Sequence, residues 1–204
     1  MHTLESSSLV TINLVPSNLV PSNQIDLLNQ LERLNSIGIA LSSEDDSRRL
    51  LEIILLGAQE LTNADGGTLY TVTSDAKLKF EIMRNVSLNI ATGGSTGNEI
   101  PFSALPIYDE QGMPNVSTVA AYSVVNAKTV NISDAYLIEE FDFSGTRDFD
   151  EKMHYRSQSF LTVPMKNHED EIIGVLQLIN AIDPRTNKIV DFSEAHQRLV
   201  ESLA

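Results

Sequence analysis

The stretch YRSQSFLTVPMKNHEDEIIGVLQLINA, Tyr155 to Ala181, sets two β-favouring runs back to back across one short polar turn. From Ser159 to Lys166 the side chains alternate. Leu161, Val163 and Met165 fall on one face and Phe160 and Thr162 on the other, the period of a pleated strand. Asn167 to Asp170 is a polar cluster that predicts a hairpin loop of more than two residues. Glu171 to Asn180 is apolar on both faces, with Ile173, Val175 and Ile179 on one and Ile172, Leu176 and Leu178 on the other. That pattern predicts a central strand covered on both sides. Gln177 interrupts it, because an amide on the face of Val175 and Ile179 must find partners in neighbouring backbone or in a ligand.

Composition narrows the rest. A chain of 204 residues is long enough for one well-buried domain and short for two. The 28 acidic and 14 basic residues give a formal charge of −14, which repels phosphate backbones and anionic lipid, so neither nucleic acid nor a membrane surface is expected as a partner. No apolar run approaches the roughly 20 residues of a membrane span, and the start MHTLESSSLV lacks the regions of a signal peptide. A cytoplasmic protein is expected. The absence of cysteine excludes disulfides, thiolate nucleophiles and zinc–thiolate sites.

Residues 1–23 contain LVPSN twice, with serines and prolines, and read as a flexible linker ahead of a domain over 24–204. From Gln24 to Leu41 the spacing of Leu27, Leu31, Leu34, Gly38 and Leu41 is that of a short coiled-coil seam, able to pair with a second copy or to pack on its own domain. Ser43 and Asp46 suggest a capping box opening a second helix, apolar around most of its circumference, which Asp65-Gly66-Gly67 ends. Thr68 to Thr73 and Lys77 to Arg84 predict an antiparallel pair, with Leu78, Phe80 and Ile82 on one face. Asn89 to Asn98 reads as a mobile loop, and it lacks the lysine of a phosphate loop. Glu99 to Tyr108 predicts an edge strand interrupted by Pro101 and Pro106. Ser117 to Asn126 reads as a helix of small residues after a serine cap, Thr129 to Ile132 as a short strand, and Asp134 to Lys152 as a long acidic connection. Ser193 caps a last helix that reaches the final residue with no stop signal, which suggests a fragment of a longer protein.

Three pieces of the chain carry a resemblance: Asn131-Ile132-Ser133-Asp134-Ala135-Tyr136, then Tyr155 to Met165, then Ile173-Gly174-Val175-Leu176-Gln177-Leu178-Ile179-Asn180. In this order and spacing they resemble the second half of a GAF domain, the small-molecule-sensing module of cyclic-nucleotide phosphodiesterases, bacterial cyclases and sensor kinases. The resemblance implies an α+β fold: a central antiparallel sheet of about six strands, helices on both faces, and the N- and C-terminal helices packed together. It implies that Asp134 to Lys152 forms a lid. It places the pocket at Val119, Ala120, Ala121, Asn131, Ile132, Asp134, Tyr136, Ser157 and Gln177, of which Val119, Ala120, Ala121 and Ile132 serve equally as core. The implied partners are a small molecule, a second copy of the chain through its terminal helices, and a downstream output domain in a multidomain bacterial signalling protein.

The chain also departs from the family's pattern. Cyclic-nucleotide-binding members carry an Asn-Lys pair and, after a phenylalanine, Asp-Glu, joined by a salt bridge near the lid. Here Asn180 and Phe192 match, but Ala181, His196 and Gln197 stand at the other positions. Where such members carry a Thr-Gly-aromatic-Arg-Thr-Arg run, this chain has Met153 to Gln158, which keeps a hydroxyl at Ser157 and loses the second positive charge. A cyclic nucleotide is thereby weakened as ligand, and the cofactor is left open. The four histidines show no metal-ligand spacing, and no nucleophile elbow or Walker loop is present. No catalytic or metal-binding residue is expected, and the sequence favours a sensory module over a dimerisation module with a degenerate pocket, with a stand-alone enzyme third.

Overall fold

The computed structural model describes residues 22–204, with side chains from Leu28 onward except Gln30; most of the expected linker, and the side chain of Leu27 in the expected seam, lie outside what is described. The elements are α1 (Ser22–Ser43), α2 (Ser47–Thr62), β1 (Ala64–Val72), β2 (Lys77–Asn85), β3 (Ile90–Gly93), β4 (Leu105–Pro106), α3 (Val119–Asn126), β5 (Val130–Ile132), α4 (Ser144–Met153), β6 (Phe160–Lys166), β7 (Ile172–Ile182), β8 (Ile189–Val190) and α5 (Glu194–Glu201). The sheet is antiparallel, in the order β3-β2-β1-β7-β6-β5, with β4 added to β2 and β8 to β7.

The hairpin predicted from Tyr155 to Ala181 sits at the centre of this sheet, as β6 and β7. Leu161, Val163, Met165, Leu176 and Leu178 face the layer of α2 and α5, packing with Leu55, Ala58 and Val200. Phe160 and Val175 face the opposite layer, built from α3 and the segment leading into α4. Ile173, expected in the core, is 45% exposed, because it lies at the open end of the strand beside the turn.

Helix α2 opens on Asp46, whose carboxylate accepts from the Arg48 and Arg49 amides at 2.8 and 3.4 Å; Asp46 is the cap itself rather than the third residue of a box begun by Ser43. It closes on Asn63 in the left-handed conformation (φ 51°), whose N–H bonds the Gln59 carbonyl. Asp65-Gly66-Gly67 therefore does not end the helix but runs within β1. At Gly67 a Cβ would stand 2.7 Å from Leu55 Cδ1 and 3.2 Å from Leu178 Cδ2, and its absence lets α2 lie directly on the strand. Helix α2 packs against both α1 and α5, so the terminal helices meet through it. The most buried residue of α1 is Ile37, 8% exposed; of the expected seam, Leu34 and Leu41 are half-buried near it and Leu31 is 53% exposed.

Strand β2 departs from simple alternation. The register with β1 shifts between Leu69 and Tyr70, so that Leu69 pairs with Ile82 and Tyr70 with Phe80, leaving Glu81 as an extra residue. Leu78 and Phe80 consequently face the α3 layer, while Ile82 faces α2. The segment expected as a mobile loop holds β3 and a 3-10 turn over Gly94–Thr96, tied to α2 by the Ser95 amide on Glu52. Of the strand expected over Glu99 to Tyr108 only Leu105–Pro106 joins the sheet, as β4 on β2, while Tyr108 makes an isolated bridge to Pro114; a proline has no backbone donor to offer a longer ladder. The cap of α3 is Thr118 rather than Ser117, its hydroxyl accepting from the Ala121 amide at 3.4 Å. The acidic connection contains α4, which its sparse apolar residues did not reveal.

Candidate functional site

A cavity of about 390 Å³ lies between the sheet and the layer of α3 and α4, within the size range of small-molecule sites. Register sets its floor. On β1, Gly66, Thr68 and Tyr70 pair with Ile179, Gln177 and Val175 of β7, and β7 in turn pairs Ile179 with Phe160 and Gln177 with Thr162 of β6. Phe80, Met83 and Asn85 extend the floor along β2. The walls are the first turn of α3, from Thr118 to Ala120, the start of α4, from Phe143 to Thr146, and Tyr155 and Ser157 behind it. The exposed lining residues Phe102, Ser103, Asp142, Ser144 and Gly145 mark the mouth.

Both helices present amide groups that have no acceptor within their own helix. At α4 the Ser144 amide is satisfied by Asp142 at 2.8 Å, and the resulting hydrogen bonds hold the Asp142 carboxyl below its ordinary range. Among the described lining residues the other charged one is Arg84. Its guanidinium binds Glu52 and the Thr92 carbonyl, on the α2 side of the sheet. Among the described residues, therefore, the cavity lining offers no free cation.

The polar groups of the interior are fixed by one another. Gln177 is 9% exposed; its Nε2 donates to Thr162 Oγ1 at 3.0 Å and its Oε1 accepts from the Tyr70 hydroxyl at 3.3 Å. Burial pushes the Tyr70 phenol well above its ordinary pKa, so it stays a donor. Ser157 is held by Asp150, whose carboxylate accepts from the Ser157 amide at 2.7 Å, the Ser157 hydroxyl at 2.8 Å and the Tyr136 hydroxyl at 2.8 Å. The Tyr155 hydroxyl donates to Asp65 at 2.5 Å and accepts from Asn180 at 2.9 Å; burial and the Asp65 carboxylate raise its pKa.

Four of the residues expected at the pocket, Val119, Ala120, Ser157 and Gln177, lie together on the cavity wall. The other five do not line it. Ala121 and Ile132 are core, Ala121 beside Ala120 on the same turn of α3 and Ile132 on β5 next to β6. Asn131 turns outward and ties β5 to the start of α5, donating to the Phe192 carbonyl at 3.0 Å. Asp134 pairs with Arg156 at 2.9 Å, and the Arg156 guanidinium stacks on Tyr136, 4.2 Å from the ring centroid, so this pair braces α4 from outside. Thr68, Tyr70, Phe80, Met83, Phe102 and Tyr155 line the cavity without having been singled out. The alternation of β1 could have found Thr68 and Tyr70 once the strand's partner was known; nothing local marks Phe102.

An antiparallel sheet with helices on both faces and a cavity under one of them defines an α+β pocket domain. The chain belongs to the GAF domain family, whose signature matches residues 46–204. GAF domains are regulatory modules, found in phosphodiesterases and sensor proteins. Over 161 residues the chain is 27% identical to a cGMP-specific 3′,5′-cyclic phosphodiesterase of Drosophila virilis, an overlap of 75% of this chain and 16% of that protein. It thus spans about a sixth of that relative's length. In fold it is similar to the GAF domain of a phosphoenolpyruvate-protein phosphotransferase from Coxiella burnetii, at a TM-score of 0.60 and 13% identity over 86% of this chain and 88% of that one. It is also similar to a free methionine-R-sulfoxide reductase from Neisseria meningitidis, solved in complex with its substrate, at a TM-score of 0.56 and 15% identity over 100% and 95% of the two chains. Fold neighbours thus include an enzyme as well as regulatory domains. No described helix is long and apolar enough to cross a membrane.

Proposed function

We propose that this chain is the regulatory sensor of a larger signalling protein and that it binds a small molecule in the cavity beneath α3 and α4. The observation that carries this reading is the cavity itself: about 390 Å³, largely apolar, with a few buried polar groups held in place by their own hydrogen bonds. Ligand contact falls to Val119, Ala120, Ser157 and Gln177, with α4 as the lid. Occupancy is passed on through α2, which touches the sheet as well as α1 and α5. The ligand must bind the two signalling states unequally, since equal affinity shifts nothing. A cytoplasmic location and an output domain elsewhere in the parent protein follow from this reading.

Titration calorimetry and thermal shift of the 204-residue chain against cyclic AMP, cyclic GMP and a metabolite panel test it. The control is Gly145→Trp, at the mouth, where an added Cβ meets nothing within 4 Å. At least one compound should bind the native chain and fail to bind this variant. Silence across the panel would overturn the reading.

A second reading has its own observation. On α1, Leu28, Leu31 and Ile39 are each more than half exposed and fall within one arc of the helix, turned away from Ile37. This face fits a second copy of the chain, which would make the domain a dimerisation module whether or not the cavity is used.

A further inference from the structure

Polar side chains on a buried sheet face are costly unless their hydrogen bonds are satisfied, and strands covered on both sides are otherwise apolar. On the cavity face, one rung across three adjacent strands departs from that rule. Thr162 of β6, Gln177 of β7 and Thr68 of β1 lie in register and are 0, 9 and 5% exposed. The rungs on either side are Pro164, Val175 and Tyr70, and Phe160, Ile179 and Gly66.

Within the polar rung only half of the Gln177 amide is used. A primary amide offers two N–H donors and two acceptor lone pairs. Thr162 takes one N–H and Tyr70 fills one lone pair, which orients the group and leaves one donor beside one acceptor on the cavity wall. The same amide pairs in two places with a ligand edge that carries an adjacent acceptor and donor, as glutamine does with adenine N6 and N7. Rings border this edge. Tyr70 and Phe80 have centroids 4.6 Å apart, Phe102 lies 5.5 Å beyond Phe80 at the mouth, and Phe160 closes the other side. Charge recognition is missing from the set: Arg84 is committed to Glu52 on the far face of the sheet, and Asp142 sits at the mouth.

We propose, resting on the sensor reading above, that the cavity selects an uncharged planar heteroaromatic compound with an adjacent donor and acceptor on one edge. Gln177 pairs with that edge and is the specificity-determining residue, Thr68 assists, and no phosphate group is required.

Calorimetry of the full chain with guanosine, adenosine, cyclic GMP and indole tests this. At least one nucleoside should bind no more than threefold weaker than cyclic GMP. Gln177→Met, close in volume, should weaken that nucleoside ten- to a hundredfold, in line with about 1–3 kcal/mol for a paired edge, and leave indole within threefold. Thr68→Val, a smaller change, should cost several-fold and serves if Gln177→Met does not fold. Equal nucleoside affinity in native and substituted chains, a more than tenfold preference for cyclic GMP over guanosine, or no nucleoside binding would each overturn the proposal. If an unrelated metabolite binds the native chain and not Gly145→Trp, the sensor reading stands and this inference alone fails; if nothing binds, both fail.

Discussion

The Tyr155 hydroxyl joins three segments distant in sequence: the start of β1 through Asp65, the end of β7 through Asn180, and its own segment after α4. Asp65 also accepts from the Ser87 amide and hydroxyl, at 3.0 and 2.7 Å. Replacing the phenol leaves two buried partners short of a bond, so Tyr155→Phe should cost about 2 kcal/mol, measured by urea denaturation. His196 behaves differently. Burial alone lowers its pKa, and its Nδ1 has no partner among the described residues. A histidine depressed in the folded state contributes stability that is present above its unfolded pKa and lost as pH falls through and below that value, near 6.5. Melting temperature should therefore fall from pH 7.5 to 5.5, and His196→Leu should flatten that slope. Legibility at this scale depended on context. Gln177 stood out because an amide interrupted an apolar alternation, and it lies on the cavity wall. Asn131 rests on a motif position alone, and its orientation depends on the Phe192 carbonyl 61 residues away, which no local pattern encodes.

Among the elements, β7 could be read almost to its ends because two apolar faces in succession fit only a covered strand. The pattern of β2 predicts its place but assigns Ile82 to the wrong face, because a bulge adds a residue without changing composition: Glu81 looks like any solvent-facing position. Helix α4 escaped for the opposite reason. It is held by Asp150 and Tyr136 rather than by an apolar stripe. The close pairing of β7 and β1 rests on Gly174, where a Cβ would meet the Tyr70 carbonyl oxygen at 2.2 Å and Met165 Cε at 2.5 Å. Gly174→Ala should thus cost about 3 kcal/mol, seen as a lower urea midpoint with an unchanged slope. The Glu52–Arg84 pair fastens α2 to β2 with both side chains mostly buried, 15% and 11% exposed. Arg84→Met strands the Glu52 carboxylate and should also cost about 3 kcal/mol.

For the molecule as a whole, the order of layers could be anticipated from the hairpin, because a two-sided central strand demands a cover on each face. What α1 does could not. The heptad-like spacing suggests a leucine seam, yet the most buried residue is Ile37; Leu34 and Leu41 of that seam are half-buried, and the leucines at positions 28 and 31 face outward. If that outer face joins two copies, sedimentation at high concentration should show a dimer, and Leu31→Asp with Ile39→Asp should return a monomer of unchanged melting temperature at low concentration. The arrangement of β7 has a mechanical consequence. Gln177 looks into the cavity while Leu176 and Leu178, its immediate neighbours, look toward α2 and α5. The partition between the two compartments is one peptide layer thick. A guest that pushes the amide by a fraction of an ångström tugs the same backbone that seats the outer helices, so news of its arrival needs no route along the chain and crosses the wall where it lands.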